Sequence, residues 1–165
     1  MDQKEINALN TTTLAFLGDA VYEVYVRRHV MQKNPQNTDD LHRRAVGFVR
    51  AEAQGAFIKK AAARSSEEDG FLLTPEELSL VKRARNRRSA TKPKNADPVV
   101  YKWATAFEAL IGYLYLTEQT ERMEEFIDAA ILEIPEMQIR KSRRRGWRAR
   151  PRGRPETALT GAPEI

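Results

Sequence analysis

The chain has no cysteine and only two histidines among its 165 residues. Without cysteine there is no disulfide framework, no thiolate metal site and no cysteine nucleophile. His29 and His42 stand apart in the sequence, which argues against a histidine metal cluster, and both read as structural. No apolar run approaches the roughly 20 residues that a bilayer-spanning helix needs. The first ten residues, "MDQKEINALN", are polar and mixed in charge, unlike a secretion signal. These absences predict a cytoplasmic protein with no membrane partner. Alternating apolar and polar residues are also lacking, so no strand is expected.

What the chain does have is an uneven charge. Lys and Arg number 28 against 23 Asp and Glu. Residues 140–165 hold nine of the basic residues and two acids, while residues 1–139 hold 19 basic and 21 acidic residues. Within that acidic body, "KRARNRRSATKPK" (82–94) carries seven basic residues and no acid. Basic segments confined in this way point to a polyanionic partner. From Arg140 the sequence is rich in Arg, Gly and Pro, with Trp147 as its one large aromatic. Such a segment buries too little surface to offset its ordering entropy. The reading is a domain over 1–139 and a basic, disordered tail over 140–165, either solvated or acting as an RNA-binding arm.

The body reads as all-α, with about five main helices. A first helix is predicted from Thr12 to Lys33, capped in the Thr11–Thr13 run. Its main apolar stripe is Leu14, Leu17, Val21, Val24 and Tyr25. A second helix is predicted from Thr38 to Arg64. "TPEE" (74–77) is a helix start, with Thr74 as cap, Pro75 in the first turn and Glu77 completing a capping box. Asp97-Pro98 starts a fourth helix, to Thr117. A fifth runs from Thr120 to Ile134 and is expected to stop before Pro135.

Two acids sit oddly on these helices. "LAFLGDAVYEVYV" (14–26) places Gly18 and Asp19 inside an apolar helix, although both are poor helix formers. At 100° per residue, Asp19, Glu23, Arg27 and Phe16 form a narrow stripe between two apolar edges. Phe16 on that stripe suggests a partner subunit. On the fourth helix Glu108 lies opposite the broad apolar face, one turn from Thr105 and Gly112. Two such helices could bring the carboxylates together. Facing carboxylates repel unless a proton or cation lies between them. Mg²⁺, held by one or two carboxylates, waters and phosphate oxygens, would then imply phosphate-ester chemistry. Spacing alone favours the plainer reading, in which both acids are exposed or ion-paired, as Glu23 with Arg27 at i,i+4 is expected to be.

"FLGDAV" (16–21) resembles the helix motif of the ribonuclease III family, and "FEALIGYLYL" (107–116) resembles that family's second acidic motif. The basic segment between them, and the lack of a double-stranded-RNA-binding domain, are similar to the Mini-ribonuclease III branch. The resemblance covers residues 8–134. It implies an all-α endonuclease domain that works as a homodimer on double-stranded RNA with Mg²⁺, trimming precursor ribosomal RNA of the large subunit. It implies Asp19 and Glu108 as catalytic and metal-binding residues and Phe16 as a dimer contact. Lys82, Arg83, Arg85, Arg87, Arg88, Lys92 and Lys94 would then track RNA phosphates. Ala15, Thr12 and Thr105 stand where ribonuclease III carries further acids, so two of the usual carboxylates remain. The alternative is a non-catalytic RNA-binding or ribosome-associated protein on the same fold.

Overall fold

The computed structural model describes residues 1–33, 38–64, 70–87 and 97–148, with backbone alone for 33 and 136–148. Among the described residues there are seven α-helices and no strand. They are α1 (Gln3–Ala8), α2 (Thr11–Lys33), α3 (Thr38–Val49), α4 (Ala51–Ala62), α5 (Pro75–Asn86), α6 (Pro98–Leu116) and α7 (Thr120–Arg148). The all-α class stands, and the two helices beyond the expected five have identifiable origins.

The first is α1, closed by a capping box in which Asp2 and Glu5 exchange side-chain-to-backbone hydrogen bonds of 2.8 and 2.7 Å. Ile6 alone of its residues is buried. The second comes from a break in the predicted helix over 38–64. Arg50 leaves the helical region at φ −64°, ψ 138°, and its carbonyl accepts from the amides of Ala53 and Gln54, so a new helix begins. The break lets α3 lie along α2 while α4 turns to pack on α6.

The helix starts at 74–77 and 97–98 are as the residues predict. Thr74 and Glu77 form the capping box of α5, and the Asp97 side chain accepts from the Val99 amide. On α2 the cap is Asn10, whose side chain accepts from the Thr12 amide at 2.8 Å, rather than the threonine run. Contrary to expectation, α7 does not stop before Pro135; it continues through it to Arg148. An interior proline removes one backbone hydrogen bond and bends a helix without always ending it. The segment over 140–148 is thus helical backbone, and residues 149–165 lie outside the described residues.

α6 is the centre of the domain, with α2, α4 and α5 packed around it. Its buried residues include Ala104, Ala106, Phe107, Ala109, Leu110, Ile111, Gly112 and Leu114. Phe107 anchors an aromatic cluster, with ring centroids 4.8 Å from Tyr22, 6.1 Å from Phe57 and 5.2 Å from Phe126. Two ion-pair clusters fasten α7 over this core. Arg64 reaches Glu133 through two bonds of 2.9 and 2.8 Å, and Arg122 reaches Glu77 through two of 2.8 Å.

Candidate active site

The crossing of α2 and α6 builds the site. A Cβ added to Gly18 would overlap the Glu108 carbonyl and lie 2.7 Å from the Gly112 amide nitrogen. One added to Gly112 would overlap the Leu14 carbonyl. Two glycines therefore let the backbones touch, and no larger residue fits at either place.

This crossing also decides which face of α2 is buried. Its buried apolar side chains are Leu14, Ala15, Tyr22, Val26 and Val30, on the side that carries Gly18. The predicted stripe is only half right: Leu14 is buried, Leu17, Val21 and Tyr25 are half-buried, and Val24 is 64% exposed. The helix is apolar on both sides, and the glycine contact, rather than the wider apolar arc, sets the docking.

Asp19 follows Gly18 directly, so docking at Gly18 brings Asp19 to the edge of the contact, toward Glu108. Burial pushes the Glu108 carboxyl up to about 8, with the Asp19 charge adding to the effect. Asp19 is raised as well, by burial and then by the charge of Glu23. The negative charge of Asp19 opposes loss of the Glu108 proton. Among the described residues, neither carboxylate has a hydrogen-bond or ion-pair partner. Glu23 is occupied by Arg27 at 2.6 Å, the predicted i,i+4 pair.

The pair fits a small divalent cation. Two unpartnered carboxylates, one held protonated first by burial and then by the other's charge, offer oxygen ligands to a cation that would take the place of that proton. Among the described residues no group of three or more His, Cys, Asp or Glu is placed to hold a metal. Waters and substrate oxygens would have to complete the ligand shell. Ala15 is buried in the core, Thr105 is half-buried and Thr12 is exposed, so none adds a carboxylate.

Of the basic residues, Lys82, Arg83, Arg85 and Arg87 are exposed along and just past the last turns of α5. Arg88, Lys92 and Lys94 lie outside the described residues. The Arg85 guanidinium stacks over the Trp103 ring, 4.9 Å from its centroid. Trp103 is partly buried against the core and offers this ring to the arginine as well. The signal of this contact is an aromatic at the N-terminal half of α6 next to an arginine-rich helix. Phe16 is 83% exposed. With Ala20, Val24 and Met31 it forms an outward apolar line on α2, in which Val24 departs from its expected place on the buried stripe. His29 packs edge-on against Phe48 at 5.7 Å, and His42 lines an apolar groove between α2 and α3.

A helical domain holding paired acids at a glycine-mediated crossing defines a class, and the comparisons name it. Residues 12–119 match the Ribonuclease III domain, and the chain belongs to the ribonuclease III family. Within it, the chain is similar to the Mini-ribonuclease 3 of Streptococcus pneumoniae, at 42% identity over 79% of this chain and 97% of that one. It is equally similar to the Mini-ribonuclease 3 of Enterococcus faecalis, at 42% identity over 82% of this chain and 96% of that one. A crystal structure of a Fusobacterium nucleatum protein shares the fold with a TM-score of 0.64 and 31% identity, covering 78% of this chain and 97% of that one.

Proposed function

We propose that this chain, an endoribonuclease of the ribonuclease III family, cuts double-stranded RNA with Asp19 and Glu108 as catalytic and metal-holding carboxylates. The observation that carries the assignment is the facing pair itself: two acids without protein partners, one pushed up to about 8 by burial and by the other's charge. Mg²⁺ is the proposed cofactor; when bound it lowers the pKa of water and draws charge from the scissile phosphate. Asp19 and Glu108 hold it, and the Gly18–Gly112 contact sets their spacing. Lys82, Arg83, Arg85 and Arg87, with Arg88, Lys92 and Lys94, follow the phosphates of the duplex. A-form RNA is read mainly by shape and backbone, so these contacts select duplex geometry rather than sequence. Precursor large-subunit ribosomal RNA is the proposed substrate and the cytoplasm the proposed location. Among the described residues no helix is long and apolar enough to cross a membrane.

The working unit of this reading is a homodimer. The exposed line of Phe16, Ala20, Val24 and Met31, beside the apolar groove of Val30, Leu41, Ala45, Val46 and Val49, supports it. Residues 1–139 form the catalytic domain and 140–165 an added basic segment. The test is cleavage of labelled duplex and single-stranded RNA, with Mg²⁺ or with a chelator. Duplex-selective cleavage that needs Mg²⁺ is expected. Uncut duplex in Mg²⁺ would overturn the assignment, and equal cleavage in chelator would remove the metal from it.

A further inference from the structure

The distal part of α7 has no role in the site just described. Among the residues of α7 whose side chains are described, Met123, Phe126, Ile127, Ala130 and Ile134 hold it to the core. From Ile134 the helical backbone runs on to Arg148, about 21 Å at 1.5 Å per residue. Those last turns carry Arg140, Lys141, Arg143, Arg144, Arg145 and Arg148, and no acid occurs between Arg140 and Pro155.

Such a helix is electrostatically frustrated. Arg140, Arg144 and Arg148 repeat at i,i+4, as do Lys141 and Arg145, and like charges at that spacing oppose helix formation. A polyanion along the helix would turn this repulsion into attraction. Arginine dominates, and its planar fork binds phosphate through paired hydrogen bonds. A helix that lies on a membrane needs an apolar face. Between residues 140 and 148 Trp147 is the one large apolar residue, so no such face exists.

We infer that the terminal turns of α7, Arg140 to Arg148, are a second RNA-phosphate contact, separate from the α5 segment. They bind the backbone of the duplex without sequence preference. The inference rests on the reading of the chain as a double-stranded-RNA enzyme. It gives the domain a duplex-gripping element on its own last helix.

The test is duplex-RNA binding by fluorescence anisotropy across a salt series, in chelator so that nothing is cut. Three full-length proteins are compared: wild type, a variant with all six basic residues changed to Gln, and one with the five arginines changed to Lys. Each phosphate contact adds about 0.7–0.9 to the slope of log affinity against log salt. The Gln variant should lose about three or more from that slope and bind at least roughly tenfold more weakly at low salt. The Lys variant should keep the slope. An unchanged slope in the Gln variant overturns the inference and leaves the enzyme reading intact. A Lys variant that fails like the Gln variant also overturns it, since charge would not be the cause. Wild type that prefers anionic vesicles to duplex RNA would overturn it in favour of a membrane contact. Wild type without duplex affinity overturns both the inference and the reading on which it rests.

Discussion

At position 108 burial and the Asp19 charge work in the same direction, and both favour the proton. The consequence for stability has a definite sign. A carboxyl whose folded pKa is raised stabilises the fold fully below its unfolded pKa, and that stability is lost as pH rises through the folded value. For Glu108 the window runs from 4.5 to about 8. Glu108→Gln should therefore be more stable than wild type at pH 8 without divalent cations, by roughly 3–5 kcal/mol at 1.36 kcal/mol per unit. The difference should vanish near pH 4.5, as read by chemical denaturation at the two pH values. Gly18 is the other decisive residue. Gly18→Ala would drive a methyl group into the Glu108 carbonyl and should cost about 3 kcal/mol or more, seen as a lowered melting temperature. Gly18 stands out in the sequence by its cost within an apolar helix, and the contact with α6 accounts for it. The roles given to Asp19 and Glu108 were not legible from spacing. They came from two short motifs, because an acid on an amphipathic helix has the same periodicity whether it meets another acid or water.

Elements were legible wherever a local cap sets the boundary. Thr74-Pro75-Glu76-Glu77 and Asp97-Pro98 each supply a side-chain acceptor and a proline at the first turn, and both helices start there. The Asp2 to Glu5 box follows the same logic and marks the start of α1. The break at Arg50 has no such mark: no proline or glycine stands at 50 or 51, and the turn is imposed by α4 packing on α6. Pro135 misleads in the opposite sense, as a breaker inside a helix already fastened by the core on its near side. The fastening of α7 gives a prediction. Glu77 caps α5 and also binds Arg122, with its side chain only 6% exposed. Arg122→Ala would leave that carboxylate buried and unpaired, and should lower unfolding free energy by about 3–5 kcal/mol in a denaturant titration.

At the scale of the molecule, the docking of α2 through Gly18 leaves one of its two apolar faces outward. Spacing marks Phe16 as outward but not Val24, because both faces carry large aliphatic and aromatic residues at helical spacing. That outward face, which begins at Phe16, is the proposed dimer contact. Phe16→Asp should give a monomer of half the wild-type mass by light scattering; a dimer that persists would exclude Phe16 from the interface.

The two carboxylates, Asp19 and Glu108, are the centre of the proposed chemistry, and the most direct test separates that chemistry from RNA binding. Single-turnover cleavage of duplex RNA in Mg²⁺ should be compared for wild type, Asp19→Asn and Glu108→Gln, with duplex affinity measured on the same proteins. Cleavage should fall by at least about a thousandfold in each variant, a barrier increase of about 4 kcal/mol. Duplex affinity in chelator should change by less than about threefold, since the phosphate contacts come from the basic residues. Either variant cleaving at the wild-type rate would contradict the assignment of that carboxylate.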